Sequence, residues 1–84
     1  MIIIYKAEDI DTSTIQMTSR EHIKDTMDQL GVGEVFFIQK GDRNVAHAYE
    51  RRLYAHCNKH FIIHSKKGEP YTYIMRTIDY DDRD

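Results

Sequence analysis

The sequence predicts a small α+β domain in which two helices cover a mostly antiparallel sheet, with the element order β-α-β-α-β-β. Two apolar runs, MIIIYKA and GEVFFIQK, have the composition of strands, and a polar loop and a helical pattern separate them. The stretch HFIIHSKKGEPYTYIMRTI has the pattern of a hairpin. A winged helix is the alternative, because that unit also ends in a helix followed by two strands. The leading strand needs a sheet partner, however, and so favours the α+β sandwich.

The first half of the chain is predicted to hold a buried strand, a loop and one helix. Residues 1–7 are rich in β-branched side chains, as buried strands are. Thr18 lies three residues before Glu21, which is the spacing of a capping box, and apolar residues follow at helical intervals. We therefore expect a helix over residues 19–30, ended by Gly31.

The second half is predicted to hold a central strand, a long amphipathic helix and the hairpin. Residues 35–38 are apolar on both faces, which is typical of a strand in the middle of a sheet. Asp42 is positioned to cap the helix predicted for residues 44–59. The hairpin strands are predicted at 60–65 and 71–78. The apolar stripe of the helix comprises Val45, Ala48, Tyr49, Leu53 and Cys57.

Length and composition indicate a single globular domain. The chain has 84 residues, of which 40% are hydrophobic and 31% charged, and this suits one small core. We assign residues 1–78 to that domain and predict that the acidic residues 79–84 form a disordered tail. No apolar run approaches the roughly 20 residues of a membrane span, and no secretory signal pattern is present. A single cysteine gives no internal disulfide, so a cytoplasmic location is expected.

Charge is distributed unevenly along the chain. Residues 1–34 carry three basic and seven acidic side chains, whereas residues 35–78 carry eight basic and three acidic ones. The total of −2 therefore hides a basic second half. A local basic field can bind a polyanion even on a chain that is acidic overall.

The stretch RRLYAHCNKHFIIHSKKG holds the single cysteine, Cys57, and three of the five histidines, His56, His60 and His64. Four such side chains would satisfy a tetrahedral zinc ion. Here they fall within nine residues across a helix end and a strand, so one backbone geometry does not make them converge. Cys57 lies on the apolar stripe, where cysteine behaves as a small hydrophobic residue rather than a nucleophile. We predict no metal, no cofactor and no enzymatic activity; a ribonuclease-like pair of acid and base histidines is the enzymatic alternative.

Basic and aromatic side chains in the second half predict a nucleic-acid interface. The outward face of the long helix offers guanidinium groups to phosphates or base edges, and the hairpin turn adds two lysines. Tyr71 and Tyr73 alternate onto one face of the last strand, where they could stack bases of a single strand. The alternative is an ordinary solvated helix face and a lysine-rich turn. The candidate nucleic-acid-binding residues are Arg43, His47, Arg51, Tyr54, Lys59, Lys66, Lys67 and Arg76.

Acidic residues support a second hypothesis. A negative surface could dock on a basic host protein and inhibit it, with charge complementarity giving specificity and rapid association. An exposed strand edge would also allow a homodimer. The acidic side chains of the first half are Glu8, Asp9, Asp11, Glu21, Asp25, Asp28 and Glu34.

The order GEVFFI, an Arg- and Tyr-containing helix, NKHFII, a glycine-centred turn and YIMRTI resembles small bacteriophage-encoded domains. Those domains have a G-E-x-F-F strand, a helix, a K-x-F strand and a terminal Arg-containing strand. Their K-K-F is K-H-F here, and this chain has no tryptophan. The resemblance implies a phage origin. Small phage proteins commonly bind DNA or RNA, or bind and disable a host protein, so we expect a role in host takeover, either as a nucleic-acid-binding regulator or as an inhibitor of a host factor in transcription or anti-phage defence. The matching positions, in about half of the chain, are Gly33, Glu34, Phe36, Phe37, Lys59, Phe61, Gly68 and Arg76.

Overall fold

The computed structural model describes residues 3–10, 15–57 and 59–77, except for the side chains of Asp9, His56 and Cys57. The predicted acidic tail and the first two residues of the predicted leading strand lie outside the described residues. The helices and strands are, in chain order, β1 (Tyr5–Lys6), β2 (Met17–Thr18), α1 (Ile23–Gln29), β3 (Glu34–Gln39), α2 (Arg43–Cys57), β4 (Phe61–Ser65) and β5 (Tyr71–Arg76).

The fold class predicted from the sequence is confirmed, because two helices and a mostly antiparallel five-stranded sheet form a small α+β domain. β3 and β5 are the central strands, β4 lies outside β5, and β1 and β2 share the remaining side of β3. β2 runs parallel to β3, whereas β3 is antiparallel to β1 and β5, and β4 is antiparallel to β5. β1 and β2 add two strands to β3, so the hairpin belongs to a five-stranded sheet covered by two helices, which is the predicted sandwich and not the winged-helix alternative.

Both helices pack on one face of the sheet and form the core there. Phe36 and Ile38 of β3 alternate toward this face, and Phe36 lies in register with Ile74 of β5. Complete burial of side chains of this size contributes about 1.5–3 kcal/mol each. The core residues are Ile23, Met27, Leu30, Phe36, Ile38, Ala46, Leu53, Phe61 and Ile74.

The start of the first helix differs from the capping-box prediction. Thr18 belongs to β2, where it pairs with Ile38, and its buried Oγ1 has no hydrogen-bond partner among the described residues. Ser19 precedes a turn of 3₁₀ helix, Arg20–His22, which leads into α1 without a side-chain cap. Pairing with the central strand buries Thr18, and this tertiary contact prevails over the local capping pattern.

α2 spans Arg43–Cys57, close to the predicted range, but its buried stripe is shifted. Ala46 is fully buried and Ala48 is exposed, contrary to the prediction, while Leu53 is buried as expected. Ala46 and Leu53 are seven residues apart, which is two helical turns, and this spacing defines the side that faces the sheet. Neither helix in the described part of the chain is long and apolar enough to cross a membrane.

Candidate nucleic-acid interface

The outward face of α2 carries three nitrogen-bearing side chains in a line, followed by an aromatic ring. Arg43, His47 and Arg51 are four residues apart, so they lie on one side of the helix, and Tyr54 continues the line. The two arginines are exposed, His47 is partly exposed, and Tyr54 is 52% exposed. We call these four residues the α2 row.

The two arginines of the α2 row have no counter-ion among the residues that the structure describes. Arg43 Nε donates a hydrogen bond to His47 Nε2 at 3.4 Å, and His47 Nδ1 lies 3.4 Å from Glu50 Oε1. Because Nε2 accepts a hydrogen bond, a neutral ring carries its proton on Nδ1, facing the carboxylate. Within the described residues, neither Arg43 nor Arg51 forms an ion pair. Both charges are thus accessible to an incoming anion.

A cleft of about 290 Å³ lies where the C-terminal half of α2 meets the start of β4. Tyr54 stands edge-on to His60, with ring centroids 4.8 Å apart. Arg51 and Lys59 bring cations to the cleft, so the α2 row ends at a site with aromatic and cationic walls. The lining residues are Glu50, Arg51, Tyr54, Lys59, His60 and Phe61.

Two of the predicted residues, Lys59 and Arg76, contact the end of α1. Lys59 Nζ donates to the carbonyl oxygen of Asp28 at 3.1 Å, and Arg76 Nη1 donates to that of Leu30 at 2.9 Å. The last carbonyl groups of a helix have no partner within the helix, so both contacts satisfy acceptors at the C-terminal end of α1. Arg76 is half-buried and does not line the cleft, although it pairs with Phe61, whereas Lys59 does line it.

Lys66 and Lys67 lie in the turn between β4 and β5, and both are exposed. A hydrogen bond from the Glu69 amide to the Lys66 carbonyl closes this turn at 3.2 Å, and Gly68 adopts a φ of +87°. Lys66 also lines a groove on the face of the sheet that the helices leave open. Lys66 therefore lies next to the open face of the sheet, opposite the helices.

The groove on the open face has a volume of about 270 Å³ and aromatic walls. Phe37 of β3 is paired with Tyr73 of β5, and both side chains lie on this face with Tyr71. Phe37 meets Tyr71 edge to face, with centroids 5.0 Å apart. We call this site the aromatic groove. Its lining residues are Ala7, Ile10, Ile15, Val35, Phe37, Lys66, Tyr71, Tyr73 and Met75.

The sequence pattern singled out Tyr71 and Tyr73 but missed Phe37, Ile10 and Ile15. A usable signal was present, because β3 is apolar on both faces while the two helices cover only one. The second face must then be covered by other parts of the chain or form a site. Ile10 and Ile15 lie within a stretch predicted to be a loop, and hydrophobic periodicity does not place loop residues against a sheet.

No three His, Cys, Asp or Glu side chains come together as a metal site in the part of the chain that the structure describes. His60 contacts Tyr54, and His64 contacts Tyr73 with ring centroids 5.4 Å apart. The side chains of His56 and Cys57 lie outside the described residues. The absence of metal and cysteine chemistry therefore stays a prediction.

Fold and surface together define a small α+β domain with a basic helix face on one side of its sheet and an aromatic groove on the other. Comparison with models of protein families, with curated proteins and with solved structures finds no match. The resemblance to phage-encoded domains, noted above from the GEVFFI and NKHFII stretches, stays a prediction.

Proposed function

We propose that the protein is a small non-enzymatic nucleic-acid-binding protein, a phage-type regulator that acts in the host-cell cytoplasm. The α2 row carries the proposal, since Arg43 and Arg51 are exposed on one helix side and form no ion pair within the described residues. Guanidinium groups bind phosphates in bidentate geometry, so such a row suits a nucleic-acid backbone. Lys66 and Lys67 add a second basic site at the hairpin turn.

The spacing of the α2 row suits a repeating polyanion. The eight-residue step from Arg43 to Arg51 spans about 12 Å of helix. A duplex carries a phosphate charge about every 1.7 Å of its axis, so the two arginines meet different phosphates of the same molecule. Phosphate contacts position a protein without reading sequence, and we therefore expect affinity with little sequence preference from this surface.

Titration of fluorescent oligonucleotides at a series of salt concentrations tests the proposal. We expect binding at low salt that weakens steeply as salt is added, because each phosphate contact releases counter-ions. Arg43→Ala/Arg51→Ala should reduce the slope of log K against log salt by about 1.4 to 1.8, the value for two lost contacts.

The matched control is Lys6→Ala/Lys24→Ala, which removes two exposed cations from β1 and α1 and so changes the net charge equally. This variant should keep the wild-type slope. Absence of binding at low salt, or equal losses in the two double variants, would contradict the proposal.

A second candidate function is inhibition of a basic host protein. Asp25 and Asp28 are exposed on α1, and Glu21 is exposed in the turn before it, so this side of the domain presents carboxylates. Glu34 is not part of that surface, because its Oε1 accepts a hydrogen bond from the Gly31 amide at 2.6 Å. Loss of a captured host protein in Asp25→Lys/Asp28→Lys, with oligonucleotide binding retained, would favour this candidate.

A further inference from the structure

The aromatic groove has room and walls for one flat ring. Phe37 is only 3% exposed and packs between Tyr5 and Tyr71, with ring centroids 5.6 and 5.0 Å from theirs. Its ring therefore supports the partly exposed aromatic side chains that line the groove. Tyr71 and Tyr73 are two residues apart on β5, which places them about 7 Å apart along the strand. A volume of about 270 Å³ lies just below the range typical of ligand sites, so the groove has room for a single ring system rather than for a peptide or an oligonucleotide.

One cation stands beside this apolar site. Lys66 is the single charged side chain among the described residues that line the aromatic groove, and it is exposed. Aromatic walls with an adjacent ammonium group complement a ligand that combines a flat ring with an anion. A nucleotide has this combination, whereas an aliphatic side chain of a protein partner would leave Lys66 without a counter-charge.

We infer that the aromatic groove binds one unstacked nucleobase of a single-stranded nucleic acid, with the ring against Tyr71 and Tyr73 and the adjacent phosphate at Lys66. The inference rests on the proposed function and specifies its ligand. A base within a duplex is paired and stacked, so it does not reach the groove, whereas a base of a single strand is free to enter.

The Tyr71 end of the aromatic groove and the start of the α2 row lie toward the same end of the sheet, on opposite sides of it. Tyr71 pairs with Gln39, the last residue of β3, and Arg43 follows Gln39 by only four residues. The hairpin turn with Lys66 and Lys67 leads into Tyr71, so it lies at this same end. A strand with one base in the groove therefore passes the hairpin lysines on its way to the first turn of α2.

Three fluorescent probes of equal length separate the contribution of bases from that of phosphates. They are a single-stranded oligothymidylate, the same backbone with abasic sites, and a duplex. We expect the wild-type chain to bind the oligothymidylate about tenfold more tightly than the abasic strand, because stacking on an aromatic side chain gives a factor of this order per base. We also expect it to prefer the oligothymidylate over the duplex.

Tyr73→Leu should remove the difference between the oligothymidylate and the abasic strand, because leucine fills space without offering an aromatic face. Ile62→Ala is the matched control and should keep the difference, since Ile62 lies on the same sheet face, outside the groove, and is 41% exposed. Backbone amide shifts of Tyr71, Tyr73 and Met75 in the wild-type NMR spectrum, on addition of the oligothymidylate, provide a readout that needs no variant.

Each outcome separates the inference from the proposed function. Equal affinity for the oligothymidylate and the abasic strand would overturn the inference and leave the proposed function intact. Tighter binding of the duplex, or amide shifts confined to α2, would also overturn the inference and leave the proposed function intact. Failure of all three probes to bind at low salt would overturn the proposed function and the inference with it.

Discussion

A single contact between Arg20 and Asp42 joins two turns that are distant in the chain. Arg20 Nε and Nη2 both approach Asp42 Oδ1, at 3.0 and 2.9 Å. The Asp42 side chain is only 10% exposed, and a carboxylate buried to this degree is costly without a cation. The pair therefore ties the turn before α2 to the turn before α1. The local sequence suggested Asp42 as a helix cap. It gave no indication of the contact with Arg20, because a partner 22 residues away leaves no local pattern.

Arg20→Ala should lower the free energy of unfolding by about 1 kcal/mol, because it leaves the Asp42 carboxylate buried without its partner. This value is smaller than for a fully buried pair, since the Arg20 side chain is 69% exposed and water screens the interaction. Arg52→Ala is the matched control: Arg52 is exposed on α2, and its loss should change stability by less than about 0.5 kcal/mol. Urea unfolding measures both variants, and equal losses would show that the contact contributes nothing.

Among the elements, the hairpin turn depends on one glycine. Gly68 has a φ of +87°, a conformation that costs residues with a β-carbon about 1–2 kcal/mol. Gly68→Ala should destabilise the domain by about this amount. Gly41→Ala is the control, because an added β-carbon there meets nothing within 4 Å and its φ is not positive. Thermal unfolding compares the two, and a Gly68→Ala variant as stable as the Gly41→Ala variant would contradict the expected strain.

Elements whose apolar residues follow a regular period were predictable from the sequence, whereas elements that form only by pairing with a distant segment were not. β3, α2 and the hairpin appear within a few residues of their predicted positions because each has a strong periodic signal. β2 is only two residues long and exists because it pairs with β3, so the local sequence indicated a helix cap instead. The same division applies to the candidate site. The basic face of α2 follows from helical periodicity, whereas the aromatic groove needs loop residues such as Ile10 packed against the sheet.

For the whole molecule, the separation of charge matters more than the total. α1 exposes carboxylates and α2 exposes arginines, although both helices cover the same face of the sheet. A net charge of −2 gives no long-range attraction to nucleic acid, so binding must come from local contacts. Two variants that change the net charge equally should for this reason differ in binding if they remove cations from different surfaces.

The homodimer predicted from an exposed strand edge is a property of the whole molecule, and the edge concerned is that of β4. Within the described residues β4 pairs on one side only, with β5, and Ile62 is 41% exposed. If two copies paired antiparallel about Ile63, Lys59 of each copy would lie near Lys67 of the other, just beyond the ends of the paired strands. These like charges oppose the pairing, and lysines commonly protect strand edges in this way.

Association through β4 should therefore strengthen as salt is added, because the distance over which charges interact falls from about 10 Å at 0.1 M to about 3 Å at 1 M. Lys67→Glu should make the dimer form at low salt, since each repulsive pair becomes attractive. Lys24→Glu changes the net charge equally on α1 and should have no such effect. Sedimentation equilibrium of the three chains measures the association constant at each salt concentration. Association that weakens with salt, or that responds equally to both substitutions, would exclude the β4 edge as the interface. Nucleic-acid binding should show the opposite salt dependence from this dimer and weaken as salt is added.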